Sequence, residues 1–487
     1  MSNVSFRDSS IVIIDTSRTL IRAGLGLGDL LRTPSVEFPA RVGLRKGINN
    51  DGTVLLHGDT IPQPSSSTSQ RVPLTTKVTD YLVGSQLEEA LAAGQDIEVY
   101  WPFANEDISD WIQAEAIWKY ALFSQLQLRR VQMESPVLLS IAPGLSRDSY
   151  ERISQIFFER FNVAGFSILD RPMAQFYAAI SGNDLSGVVI DIGRHHVDIS
   201  PIHDGFLIHG TRTTVHYGIT DCEYYLAHLL LSNQNLVNTI SPPEKPLTPE
   251  DLQSTLIKVA RQVWQEGLVK VLAEGEAADI EEEGVTDIAA VLVAGKEKAV
   301  IESGMKKRMN AKATAAEQAR AKEIEALDLV TIQFGDYSLT LGKERHRFCE
   351  PLFDPTLLAA VPGLPQQQQV RDENMRPLQL AVGHAVNLAE VDIRQYIWQG
   401  LFVTGELTNR IKGLGSAVQA RLRPLILSIA DQQNEVQPKS IRVLKVPEYF
   451  AEYREKGDGL ASFLGCSIVA KVSDSSIKSG QMIHCGL

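Results

Sequence analysis

Ile11-Val12-Ile13-Ile14-Asp15-Thr16-Ser17-Arg18-Thr19-Leu20-Ile21-Arg22-Ala23-Gly24 reads as a short apolar run closed by an acid, a polar turn and a second run. The plan returns as Val188-Val189-Ile190-Asp191-Ile192-Gly193, a turn of Arg194-His195-His196, and then Val197-Asp198-Ile199-Ser200-Pro201-Ile202. Short apolar runs bounded by polar turns predict strands. Two strand–turn–strand units of this kind predict two halves facing across a cleft, with a nucleotide's phosphates between the turns. Asp15 and Asp191 would hold a hydrated Mg²⁺. Such turns need glycine, because backbone N–H groups must approach phosphate oxygens and the chain must take positive φ. The first turn contains no glycine, and the second keeps only Gly193. The scaffold is present, and most of its phosphate cradle is not.

Working outward, the 487 residues suffice for two or more packed lobes. A hydrophobic content of 44% with 22% charged residues is that of an ordinary globular chain. The longest apolar runs fall short of the roughly 20 residues of a membrane helix, and residues 1–10 lack the apolar core of a signal peptide. Four cysteines without a C-x-x-C pair fit a reducing compartment and argue against a zinc knuckle. A net charge of −12 disfavours a dedicated nucleic-acid grip. The expectation is an acidic α/β protein with no membrane partner and no direct sequence-specific contact to nucleic acid.

Pro136 to Ile141 reads as a buried strand, and Ile153, Ile156, Phe157 and Phe161 have helical spacing. Ser167 to Leu169 is another strand and Pro172 to Ile180 another helix. Loops rich in Pro, Ser or Gln interrupt at 60–75, 241–249 and 362–377. A larger charged insertion spans about 274–328, opening with an acidic cluster and closing with an Ala/Glu/Lys/Arg-rich helical stretch. It reads as a solvated helix or as a partner-docking arm.

Leu341-Gly342-Lys343-Glu344-Arg345-His346-Arg347-Phe348-Cys349-Glu350-Pro351-Leu352-Phe353-Asp354-Pro355 resembles the actin segment I-G-N-E-R-F-R-x-P-E-x-L-F-x-P. Phe161-Asn162-Val163, then Gln175-Phe176-Tyr177-Ala178, resembles actin's F-N-V and S-L-Y-A, and Phe463 to Val469 resembles W-I-G-G-S-I-L. The run Asp191 to Ile202 is similar to D-x-G-x-H-H-x-D-I-x-P-I of the fungal actin-related protein nine class. Val446-Pro447-Glu448-Tyr449-Phe450 with Glu452 is similar to that class's P-E-Y-F-x-E segment. The resemblance implies an actin-like fold, two ribonuclease-H-like halves around a nucleotide cleft. It places the first lobe at 1–180, with 455–487 returning to it, and the second at 181–454. The chain stops soon after Ile483, which implies an end reduced or truncated relative to actin's.

Aligned by motif, Ser17-Arg18-Thr19 replaces a glycine–serine–glycine stretch. Arg18 would grip a phosphate from a distance, or else fill the cleft and pair with Asp15 or Asp191. Arg22 takes the place of a phosphate-contacting lysine. Arg171 stands where a glutamine orients the attacking water, and a guanidinium has donors only. The G-G-T motif near the base becomes Thr404-Gly405-Glu406-Leu407, where Glu406 adds bulk and negative charge. With Asp191 and Gly193, these residues outline a degenerate cleft, and the expectation is that ATP binding is weak or lost. His195 and His196 invite a metal reading, with Asp198 or His203 assisting. Adjacent strand residues point to opposite faces, so structural hydrogen bonding is the expectation and no metal site is assigned.

Function follows from the resemblance alone. That class supplies subunits of SWI/SNF- and RSC-type chromatin remodellers, which implies a nuclear, non-catalytic scaffold with no cofactor. It would pair with a second actin-related protein as a heterodimer, bind a helix-SANT-associated (HSA) helix of the remodelling ATPase, and contact other remodeller subunits. Tyr177, Ala178, Val469 and Val472 would line the partner groove or else belong to the core. Two competitors are an active actin-family ATPase and an actin-related subunit of another assembly, such as an INO80-type remodeller or the dynein activator.

Overall fold

The computed structural model describes residues 11–25, 33–45, 76–105, 107–133, 135–180, 185–244, 246–271, 328–364, 375–407, 410–429 and 441–479. The loop at 60–75, residues 365–374 of the 362–377 loop and the insertion up to 327 lie outside them. The chain divides into two compact units: Met1–Ile180 with Val446–Tyr453 and Leu460–Leu487, and Ser181–Lys445 with Arg454–Gly459.

In chain order the first unit supplies β1 (Val12–Thr16), β2 (Leu20–Leu25), β3 (Val36–Pro39), β4 (Val42–Arg45), β5 (Leu82–Val83), β6 (Ile97–Tyr100), β7 (Val137–Ile141) and β8 (Phe166–Asp170). The main sheet runs β3-β2-β1-β7-β8, and a small sheet runs β5-β4-β6. β1, β2 and β3 are antiparallel neighbours, whereas β7 lies parallel to β1 and β8 parallel to β7. Every residue of β1 and of β7 is buried, which explains near-continuous apolar runs rather than alternating ones. The helix Arg147–Gln155 continues through a wider turn at Ile156–Arg160 and crosses from β7 to β8. It ends at Asn162, whose φ of 56° suits a residue that tolerates the left-handed region. Its buried face delivers Phe157 against Phe166, stacked at 4.3 Å, and against Trp118 at 5.5 Å.

The second unit supplies β9 (Gly187–Ile192), β10 (Val197–His203), β11 (Phe206–Leu207), β12 (Thr213–Val215), β13 (Val330–Phe334), β14 (Tyr337–Leu341), β15 (Gly400–Gly405) and β16 (Arg442–Val443). Its main sheet runs β11-β10-β9-β15-β16, with β12 also paired to β10, and β13-β14 is a hairpin apart. Again the first two strands are antiparallel, and the next two, β15 and β16, are parallel. The two units therefore repeat one topology, each with its own apolar core.

Two backbone approaches fix the first unit's end. The C-terminal helix Ala461–Ser479 crosses the helix Arg171–Ala179 so closely that a Cβ on Gly465 would stand 1.7 Å from the carbonyl oxygen of Ala174. A Cβ on Gly24 would stand 2.8 Å from the Phe463 ring. In the second unit, Arg345 and His346 tie together the two chain ends that flank the insertion. Arg345 Nε donates to Leu268 O at 3.0 Å, and its Nη2 lies 2.8 Å from Asp328 Oδ1. The amide of Lys270 donates to His346 Nδ1 at 3.1 Å, which leaves the ring proton on Nε2 to reach Asp328 Oδ2 at 2.6 Å.

Candidate functional site

Asp15 closes β1, opposite Arg22 on β2, and is 1% exposed. Burying a carboxylate demands compensation. Arg171, first residue of its helix, donates from Nε to Asp15 Oδ1 at 3.1 Å. Ser462, on the C-terminal helix, donates to the same oxygen at 2.8 Å and meets Ser140 of β7 at 2.9 Å. The Arg22 Nη1 lies 3.8 Å from Asp15 Oδ2, while its Nε holds Glu37 at 2.7 Å. Arg171 and Arg22 side chains are only 12% and 8% exposed. A cation at a helix N-terminus opposes the helix dipole, so Arg171 is placed there by its anion and not by local preference.

The turn itself is closed internally. Ser17 Oγ accepts from the amide of Leu20 at 2.9 Å and donates to Leu20 O at 3.0 Å, and the Ser17 amide takes Leu20 O at 2.9 Å. Donors that would face a phosphate serve the turn instead. Arg18 Nη1 donates to Ala104 O at 2.9 Å, a contact the sequence reading did not foresee. At Asp15 two guanidiniums already face the carboxylate, so a cation there would add like charge, while Oδ2 itself accepts no hydrogen bond.

The second hairpin is equally occupied. The Gly193 amide donates to His196 O at 2.9 Å, and the first amides of the helix Ile219–Leu230 donate to the turn: Ile219 to Gly193 O at 3.1 Å, Thr220 to Arg194 O at 2.9 Å. A helix N-terminus is an anion site only while those amides are open. Arg194 donates to Glu223 at 3.1 Å and lies 3.7 Å from Glu406. Glu223, fully buried, also takes Arg261 at 2.8 and 3.0 Å and the Trp264 indole at 3.0 Å. Gly405, at φ 117°, ends β15 beside Ile192, where a Cβ would stand 2.2 Å from the Ile192 carbonyl oxygen. Glycine here serves the close approach of two strands. Asp191 pairs in register with Asp198, and Asp198 is held by Arg212 at 3.0 Å and Thr214 at 2.6 Å. The His196 ring packs on His216, and His203 bonds Ser186 at 3.0 Å. Among the described residues, no group of three or more metal-ligating side chains converges.

The actin family model matches residues 6–477, nearly the whole chain, including both of the duplicated sheets. The chain belongs to the actin family. It is also 25% identical to the SWI/SNF and RSC complexes subunit arp9 of Schizosaccharomyces pombe, over 96% of this chain and 94% of that one.

In this actin-family chain the residues expected in the partner groove lie on the two crossed helices of the first unit. Tyr177 and Val469 are half-buried and Ala178 is 1% exposed, so Ala178 packs within the unit. Val472 lies on the C-terminal helix beyond the side chains described. Sequence reasoning missed Ser462, Ser140, Glu37, Glu223 and Arg261. Glu223 had a signal, being an acid inside the apolar run Cys222 to Leu230. Ser462 had little, because a serine in a helix betrays no partner.

Proposed function

We propose that this chain is a non-catalytic, actin-related scaffold subunit of a nuclear ATP-dependent chromatin-remodelling complex. It pairs with a second actin-related protein and binds the HSA helix of the remodelling ATPase through the surface carrying Tyr177 and Val469. The observation that carries the reading is the occupation of Asp15, the residue an ATPase keeps for its metal, by Arg171, Ser462 and Arg22. Positive charge supplied by the chain itself stands where a cation would, although Asp15 Oδ2 accepts no hydrogen bond. The likeness to a SWI/SNF and RSC complexes subunit of Schizosaccharomyces pombe supports the choice of assembly. Recognition would follow helix-in-groove physics, an amphipathic helix laying its apolar stripe against apolar side chains.

The test has two arms. Tagged protein purified from nuclei is expected to bring down a remodelling ATPase and one other actin-related protein. Purified alone, it is expected to release no phosphate from labelled ATP above the buffer blank. Mg²⁺-dependent release that co-elutes with the protein would overturn the non-catalytic assignment. In a binding assay with a synthetic HSA peptide, Val469→Asp should abolish capture, because charge in an apolar interface costs several kcal/mol (about 2 or more) unless paired. An unchanged affinity would remove the groove.

A further inference from the structure

Three separate elements of the first unit converge on one carboxylate. β2 brings Arg22, the helix Arg171–Ala179 brings its first residue, and the C-terminal helix brings Ser462. The hydrogen bonds have a direction. An ionised carboxylate only accepts, so the single Ser462 proton goes to Asp15, and Ser140 must donate to Ser462. Four residues on, Cys466 is buried, and burial together with the nearby Asp15 charge pushes its thiol well above the usual range. Asp15, Ser140 and Ser462 are all buried, where each such bond is strong, and Asp15 Oδ2 has the 3.8 Å approach of Arg22 Nη1 in place of a hydrogen bond.

The two helices fixed in this way are the ones that carry Tyr177 and Val469, and they touch backbone to backbone at Gly465 and Ala174. We propose that Asp15 is a positioning residue for partner binding. It is an ionic lock that sets the placement of the helices Arg171–Ala179 and Ala461–Ser479, and so shapes the surface they offer to an apolar helix. The proposal rests on the groove reading above. A nucleotide leaves its aspartate after each cycle, whereas Arg171 and Ser462 belong to the chain and stay. The lock therefore holds one arrangement, and capture of the partner helix should be indifferent to ATP and to chelation of Mg²⁺.

The experiment uses the full chain with Arg171→Gln and Ser462→Ala, neither of which alters Tyr177 or Val469. Hydrogen exchange should rise about tenfold in both helices for each variant, including the helix that was not mutated, while the β13–β14 hairpin stays as in the parent. Affinity for the synthetic HSA peptide should fall about tenfold in both variants. Arg171→Lys, which keeps the charge, should recover most of that loss. If Arg171→Gln fails to fold, Arg171→Lys and Ser462→Ala carry the test. Faster exchange confined to the mutated helix would overturn the lock. Faster exchange in both helices with unchanged peptide affinity would overturn the positioning role. If Val469→Asp also leaves affinity unchanged, the groove reading falls instead, and the exchange result alone decides the lock.

Discussion

Replacing Asp15 by alanine separates a metal ligand from a structural anion. In a protein that keeps such an aspartate for a cation, its removal from the unliganded form relieves charge and leaves stability little changed. Here it takes a close acid from Arg171, 12% exposed, and another from Arg22, 8% exposed. Breaking a buried pair by removing one partner costs about 3–5 kcal/mol. Arg22 keeps Glu37 at 2.7 Å, which places the expectation at the lower end, about 3 kcal/mol. For a unit of this size, each kcal/mol moves the melting temperature by roughly 2–4 °C, so the first unit should melt about 6–12 °C lower. Differential scanning calorimetry of the full chain reads this directly. The companion variant is Asp15→Ala with Arg171→Met, which removes charge and counter-charge together. It should recover about 2 kcal/mol, the coupling expected of residues in direct contact. A melting temperature for Asp15→Ala within 2 °C of the parent, or a double variant no better than the single, would refute the lock.

Other outcomes follow from the same contacts. Millimolar Mg-ATP should shift the melting temperature by less than about 1 °C. Ligand at a hundredfold its dissociation constant would add about 2.7 kcal/mol, so a rise of several degrees would restore a working nucleotide site. Gly465→Ala forces a Cβ against the Ala174 carbonyl, and backbone cannot step aside as a side chain can. A loss of about 3 kcal/mol or of soluble expression is expected, and parental melting would disprove the close crossing. His346 is buried and held neutral below its ordinary range, with burial outweighing the pull of Asp328 and Arg345 adding to the lowering. Its contribution to stability is complete above about pH 6.5, the unfolded value, and falls as pH drops below it, because the unfolded chain takes the proton first. His346→Gln, able to accept from Lys270 and donate to Asp328, should flatten that slope by up to about 1.4 kcal/mol per pH unit. An unchanged slope between pH 6.5 and 5 would exclude it.

Much of the architecture was legible in the chain. β1, β7 and β15 are buried throughout, so apart from Asp15 near the end of β1 they carry only apolar or small residues, and a strand written that way belongs in the middle of a sheet. The repeat of an acid-closed strand, a polar turn and a second strand announced the duplication, because the hairpin is local and its pattern survives substitution. Loss of turn glycines was equally local, since φ belongs to the residue itself.

The partners of these side chains were not written there. Asp15 draws Arg171 from 156 residues away and Ser462 from 447, and no periodicity or spacing links them. Arg18 donates to the carbonyl of Ala104, 86 residues away, a partner that no motif announced. The sequence determines which residue types stand in the two turns and where glycine is missing from them, because that is a local matter. Only the tertiary structure decides the partners of the charged ones, because a buried charge pairs with whatever the packed chain brings within about 3 Å of it, and that is set by the whole fold at once.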